Sequence, residues 1–270
     1  MKSVLLYAND DPGLEARLKA ALDIVRFFNG HLICLHATPY HAFLMGDPFG
    51  GIYALPVVVE QLAKTEKAQR TRIEERLSRE AVSWEWLQLD GPPEQVISDR
   101  SRLADLVVLS LPAGRGDLHD SRADMAAEIA VHARGPVLAL PVAVKPFEVV
   151  GPAVIAWNGS PEAAHSLRLG LPLLRSASAI HIVTVREEQS RFPAIDASRY
   201  LARHGITSEI VEISDDPRGA GEALLGAAGA LAASYILMGA YGHNRLREAM
   251  LGGVTRHMLE HSSIPLLLAH

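Results

Sequence analysis

Short apolar runs alternate with longer amphipathic stretches along the whole chain. They predict strands at 3–8, 31–37, 83–89, 105–111 and 136–140, with helices at 13–28, 57–80, 93–102 and 121–133. The pattern then starts again, with strands at 153–157, 179–185, 207–213, 234–239 and 265–269 and helices at 161–174, 193–204, 218–232 and 254–261. Most strands are unbroken apolar runs, as in a parallel sheet covered by helices on both faces. Ser83-Trp-Glu-Trp-Leu-Gln-Leu89 alternates more and is expected nearer an edge. Regular strand–helix alternation predicts an α/β fold with a doubly wound, Rossmann-like parallel sheet in each half. Such sheets bind ligands at the carboxyl ends of their strands, which selects the loops to read.

The second half echoes the first. Val4-Leu-Leu-Tyr-Ala-Asn9-Asp-Asp-Pro12 corresponds to Ala153-Val-Ile-Ala-Trp-Asn158-Gly-Ser-Pro161, each a strand ending in Asn, a polar turn and a helix-starting Pro. Ala104-Asp-Leu-Val-Val-Leu109 corresponds to Ala233-Ser-Tyr-Ile-Leu-Met238 at an offset of 129, which also carries Pro136-Val-Leu138 onto Pro265-Leu-Leu267. The run from Leu140 to Pro152 holds three prolines and a glycine and reads as the linker. Two tandem domains are therefore expected, 1–145 and 146–270. Their apolar last strands, Val137-Leu-Ala-Leu140 and Leu266-Leu-Leu-Ala269, are expected to protect each other as an intramolecular pseudo-dimer. A homodimer of the whole chain is compatible with that arrangement.

Composition narrows the partners. Of 270 residues, 26 are Lys or Arg and 31 Asp or Glu, so the chain is acidic and no nucleic acid partner is expected. Cys34 stands alone in the run Leu32-Ile33-Cys34-Leu35, which excludes an internal disulfide and suits a reducing compartment. No stretch has the roughly 18 uninterrupted apolar residues of a membrane span. The start, Met1-Lys2-Ser3-Val4, lacks a signal-peptide core. A soluble, cytoplasmic protein without a membrane partner is expected.

The richest loop follows the strand at 234–239: Gly239-Ala-Tyr-Gly242-His-Asn-Arg-Leu-Arg-Glu-Ala-Met-Leu-Gly252-Gly253-Val-Thr255. Its glycines bracket a segment with His243, Arg245 and Arg247, and Gly252-Gly253 precedes a helix whose bare amides can cradle phosphate oxygens. The spacing of Gly239, Gly242 and Gly252 resembles the nucleotide-binding motif of the universal stress protein family. The following stretch from Val254 to Leu268 is similar to that family's final helix and strand.

The resemblance covers both halves and implies a tandem universal stress protein that binds an adenine nucleotide, ATP with or without Mg, in its second half. It implies that Gly239, Gly242, Gly252 and Gly253 hold phosphates, with Thr255 as a nearby hydroxyl. It further implies that Asn158 contacts the nucleoside and Val185 faces adenine. Two positions depart from the family. Gly253 stands where a hydroxyl residue is usual, and Asn158 where Asp is usual. Regulation is implied more than turnover, with at most slow ATP hydrolysis, because no general base is placed for an attacking water.

In the first half the glycines are gone. Ser110, Ala113, Ala123 and Asp124 take the places of Gly239, Gly242, Gly252 and Gly253, so Cβ bulk and the Asp124 carboxylate are expected to oppose a triphosphate. The segment from Pro39 to Pro56 has no counterpart in the second half. His257 and His261 lie one helical turn apart, but no third ligand is evident and no metal site is expected. The alternative function is a stress-response scaffold that has lost nucleotide binding and acts through protein contacts or another small ligand. A nucleotide-activating ligase or sulfur transferase would need a Ser-Gly-Gly-type loop, which neither Asn9-Asp10-Asp11 nor Asn158-Gly159-Ser160 supplies.

Overall fold

The computed structural model describes residues 1–40, 55–112, 122–142, 147–185, 192–214, 216–240 and 253–270. In the first half the order is β1 (Ser3–Tyr7), α1 (Leu14–Phe28), β2 (His31–Thr38), α2 (Leu55–Leu77), β3 (Ser83–Asp90), α3 (Pro93–Arg100), β4 (Leu106–Ser110), α4 (Arg122–His132) and β5 (Val137–Leu140). The second half runs β6 (Ala153–Ala156), α5 (Pro161–Leu174), β7 (Ile180–Val185), α6 (Ala194–Arg203), β8 (Glu209–Ile213), α7 (Ala220–Ala230), β9 (Tyr235–Gly239), α8 (Gly253–His261) and β10 (Leu266–Ala269). The helix expected at 93–102 is shorter, because its last turn tightens into a 3-10 turn at Ser101–Leu103.

Among the described residues, ten strands form one sheet in the order β3-β2-β1-β4-β5-β10-β9-β6-β7-β8. Pairing is parallel within each half and antiparallel at the seam, where Leu266, Leu267 and Leu268 face Ala139, Leu138 and Val137. Those seam residues are fully buried, so each half covers the edge that the other would expose. The alternating strand β3 is indeed an outer edge, and β8 is the other.

Strand side chains point alternately to two cores. One face packs Leu14, Leu18, Leu22 and Val25 of α1 and Ala163 and Leu167 of α5 on Val4, Leu6, Ile155 and Leu237. The opposite face packs Ile97, Ala126, Ile129, Leu224, Met258 and Leu259 on Leu5, Val107, Val154 and Ile236. From Phe147 onward the linker region is built into the second half. The Phe147 ring lies 5.9 Å from that of Tyr235, and Glu148 N–H donates to Ser234 Oγ at 3.0 Å. Among the described residues, no helix is long and apolar enough to cross a membrane.

Candidate functional site

In each half the chain winds outward in one direction from its first strand and then returns on the other side. The switch point lies between β6 and β9 in the second half and between β1 and β4 in the first. This is where open parallel sheets form their ligand crevice.

At the second-half switch point, Asn158 Oδ1 accepts from Ser160 N–H at 3.1 Å, closing a local turn. Gly159 sits in that turn at φ +71°, a left-handed conformation suited to glycine. Ser160 then caps α5, its Oγ accepting from Ala163 N–H at 3.1 Å, and Pro161 opens the helix. The first turn of α5 presses against the end of β9. A Cβ on Gly239 would come within 2.7 Å of the Ala163 nitrogen and the Glu162 carbonyl carbon. Gly239 therefore has a packing role at this crossing. Glu162 is only 5% exposed, and its carboxylate at the site was not anticipated from the sequence.

Val185 ends β7 opposite Ile213 of β8 and packs against the α7/α8 core. At the amino end of α8, Gly253 is exposed, outside the left-handed region, and a Cβ there would meet open space. Thr255 is buried on the same helix face as Met258 and Leu259, so its side chain belongs to the inner side of α8. Asn158, Val185, Gly239 and Gly253 thus come to one edge of the sheet, the first three from the ends of adjacent strands. Gly242 and Gly252, with His243, Arg245 and Arg247, lie outside the described residues.

The first-half switch point is filled from within. Arg17, 1% exposed on α1, donates through Nη1 to Asp11 Oδ1 at 2.8 Å and to Ser110 Oγ at 2.7 Å. Its Nη2 donates to the Asn9 carbonyl at 2.8 Å. Arg122 lies 4.0 Å from the same Asp11 oxygen. Asp124 stands exposed in the first turn of α4, as Gly253 does at the start of α8, and a second carboxylate, Asp11, pairs with Arg17 at the switch point. The glycine at the crossing has also changed sides. Gly13 of the helix meets Ser110 of the strand, with Ser110 Cβ 2.8 Å from where a Gly13 Cβ would stand.

A second polar cluster, missed in the sequence, sits at the carboxyl end of β2. His36 Nδ1 lies 3.0 Å from the Ala8 carbonyl, and its Nε2 lies 3.3 Å from Glu66 Oε1 of α2. Glu66 also accepts from the hydroxyls of Thr38 and Tyr40 and, at 2.9 Å, from Gln88 Nε2. Burial pushes the Glu66 carboxyl upward, but the hydroxyl and imidazole donors outweigh it and hold the group below its ordinary range. Burial and the neighbouring carboxylate push Tyr40 up to about 12. The polar positions His36 and Thr38 in an apolar run were the available signal; Glu66 gave none.

His257 and His261 stack with ring centroids 4.4 Å apart, and His257 Nε2 lies 3.2 Å from Glu222 Oε2. Among the described residues, no group of three His, Cys, Asp or Glu is arranged to hold a metal ion.

Comparison with known proteins identifies part of the chain. Residues 151–270 match the Universal stress protein family and are a domain of that family. The universal stress protein Slr1230 of Synechocystis is 30% identical over 132 residues, 47% of this chain. That match spans 45% of the relative, less than half its length. Among solved structures, a universal stress protein from Archaeoglobus fulgidus aligns with TM-score 0.74 over 98% of this chain and 97% of its own, at 15% identity. A functionally unknown protein, PA1789, from Pseudomonas aeruginosa aligns with TM-score 0.57 over 100% and 92% of the two chains, at 18% identity. At these identities the likeness establishes the α/β fold with its mostly parallel sheet.

Proposed function

We propose that the whole chain is a tandem, cytoplasmic universal stress-type protein, with domains 1–145 and 146–270, that binds an adenine nucleotide in its second domain. The observation that carries this reading is the position of Gly253. It is an exposed residue at the start of α8, in the half that matches the family, at the carboxyl edge of the sheet. Unbonded amides and the helix dipole at such an end favour phosphate oxygens. Gly242 and Gly252 would complete the cradle, Val185 would flank adenine, and Asn158 would meet the nucleoside. Thr255, turned inward, would support the helix start more than touch the phosphates.

The residues fit ATP better with its metal than without. The buried Glu162 carboxylate beside Gly239 would repel a bare phosphate, and Mg²⁺ carried by ATP would offset that repulsion. Regulation through occupancy, with at most slow hydrolysis, is the role proposed.

One observation favours the scaffold alternative. Gly239 is accounted for by the close approach of α5, so one motif glycine has a reason to exist without a nucleotide. Mass spectrometry of the denatured purified chain, followed by ATP titration calorimetry of the chain stripped of small molecules, separates the two. Adenine nucleotide released from the protein, or a saturable ATP isotherm lost in Gly242→Asp, supports the first reading. Neither signal in a folded protein supports the scaffold.

A further inference from the structure

On the face of the sheet opposite to that of Val185, a groove of about 470 Å³ opens between α5 and α6. That volume lies within the range of small-molecule sites. Its lining combines aromatic planes with positive charge. Trp157 forms part of it and is only 5% exposed, its Nε1–H donating to the Phe192 carbonyl at 2.9 Å, so the indole is held in place. Tyr200 and Phe192 add two more rings, and Phe192 is 60% exposed.

Arg168 of α5 and Arg199 and Arg203 of α6 also line the groove, against a single acid, Asp196. Asp196 is already engaged by Arg199 at 3.1 Å. Among the described residues, Arg203 has no acidic partner. On a chain with net charge −5, three guanidiniums around an aromatic pocket form a local field opposite to that of the whole protein. Guanidiniums bind carboxylate, sulfonate or phosphate oxygens strongly and also stack on aromatic rings. Fixed aromatic planes favour a flat ring system.

We infer that the groove between α5 and α6 binds a small planar aromatic anion, independently of the nucleotide. Tyr200 and Phe192 supply the apolar contact over a floor formed by the buried Trp157, while Arg168 and Arg203 supply the charge recognition. The core behind Trp157 is the α5 face of the sheet, whereas Val185 packs toward α7 and α8, so the two sites lie on opposite faces.

Fluorescence titration of the full chain with 1-anilinonaphthalene-8-sulfonate tests this, with N-phenyl-1-naphthylamine as the same ring system lacking the sulfonate. Saturable binding of the sulfonate is expected, with the uncharged dye at least tenfold weaker. Arg203→Glu and Arg168→Glu should each weaken the sulfonate at least tenfold, and Lys19→Glu on α1 should leave it unchanged. Saturating Mg-ATP should leave sulfonate affinity unaltered, whether or not ATP itself binds. Equal affinity for both dyes, no loss in either arginine variant, an equal loss in Lys19→Glu, or displacement by ATP would overturn the inference.

Discussion

Buried Arg17 and half-buried Asp11 form an ion pair, 2.8 Å apart, at the first-half position that corresponds to the proposed nucleotide crevice of the second. The pair is tied to both strands flanking the switch point, through Ser110 on β4 and the Asn9 carbonyl beyond β1. The first-half switch point is thus occupied by the chain's own charges.

Removing one partner should be costly. Arg17→Met leaves half-buried Asp11 without its main cation, and breaking such pairs costs about 3–5 kcal/mol when both charges are fully buried. Asp11 retains 18% exposure and Arg122 nearby, so a loss of about 2–3 kcal/mol is expected in urea unfolding. ATP affinity, proposed for the other half, should not change. A loss below 1 kcal/mol would show that the pair contributes little.

The two crossings should respond to methyl groups in opposite partners. Gly239→Ala and Gly13→Ala each drive a Cβ into a close neighbour, and overpacking of this kind costs about 1–3 kcal/mol. The Gly13→Ala clash is with the Ser110 side chain, so adding Ser110→Gly should recover part of the loss. Gly239→Ala meets backbone atoms of α5, and no single side-chain truncation should rescue it. Thermal unfolding of the single and double variants measures both.

Gly253→Ser should be tolerated and should tighten ATP. The position is exposed, has open space for a Cβ and is not left-handed, so the substitution is not strained. One added hydrogen bond to a phosphate oxygen at a surface site should improve the dissociation constant several-fold to roughly tenfold. Calorimetry giving an unchanged constant in a folded variant would place the phosphates elsewhere.

Stability should fall in acid through Glu66. Its folded-state carboxyl lies below the ordinary value of 4.5, so its contribution is complete above that value and is lost as pH falls through the folded-state value. Glu66→Gln gives up a charged acceptor with several donors and should cost about 1–3 kcal/mol at pH 7. The difference between wild type and variant should shrink as pH drops below 4.5. Urea midpoints at several pH values, showing a constant difference, would remove Glu66 as the source.

Cys34 should be inert in the folded chain. It is fully buried on β2, and burial pushes its thiol up to about 12, leaving almost no thiolate at pH 8. Ellman's reagent should label one thiol per chain in denaturant and essentially none in native buffer over minutes. Rapid native labelling would mean that the β1–β2–β3 region opens locally.

The strands and helices were legible because each half repeats a strong local signal. The apolar run Val4-Leu-Leu-Tyr7 and the Ser160-Pro161 start of α5 mark their elements without reference to distant residues. Long-range pairings were not. Arg17 falls on the same helical face as Leu14 and Ala21, but its partner Ser110 is 93 positions away and nothing local announces it. Likewise, the repeat pointed to Asp124, whereas Asp11, the carboxylate that pairs with the buried Arg17, was not singled out. Gly239 matched a binding motif, and only its contact with Glu162 and Ala163 revealed a packing reason as well.

The antiparallel seam between Val137–Leu140 and Leu266–Ala269 has a consequence for how the halves diverge. Joined in one polypeptide, the two last strands meet at an effective concentration set by the tether, so dilution cannot separate them. In an assembly of identical single-half chains, every substitution would appear twice, and Ser110 could not replace glycine in one copy without replacing it in the other. Covalent fusion breaks that symmetry. Each half is then free to change its own switch point, as the Arg17–Asp11 pair does in one and not in the other.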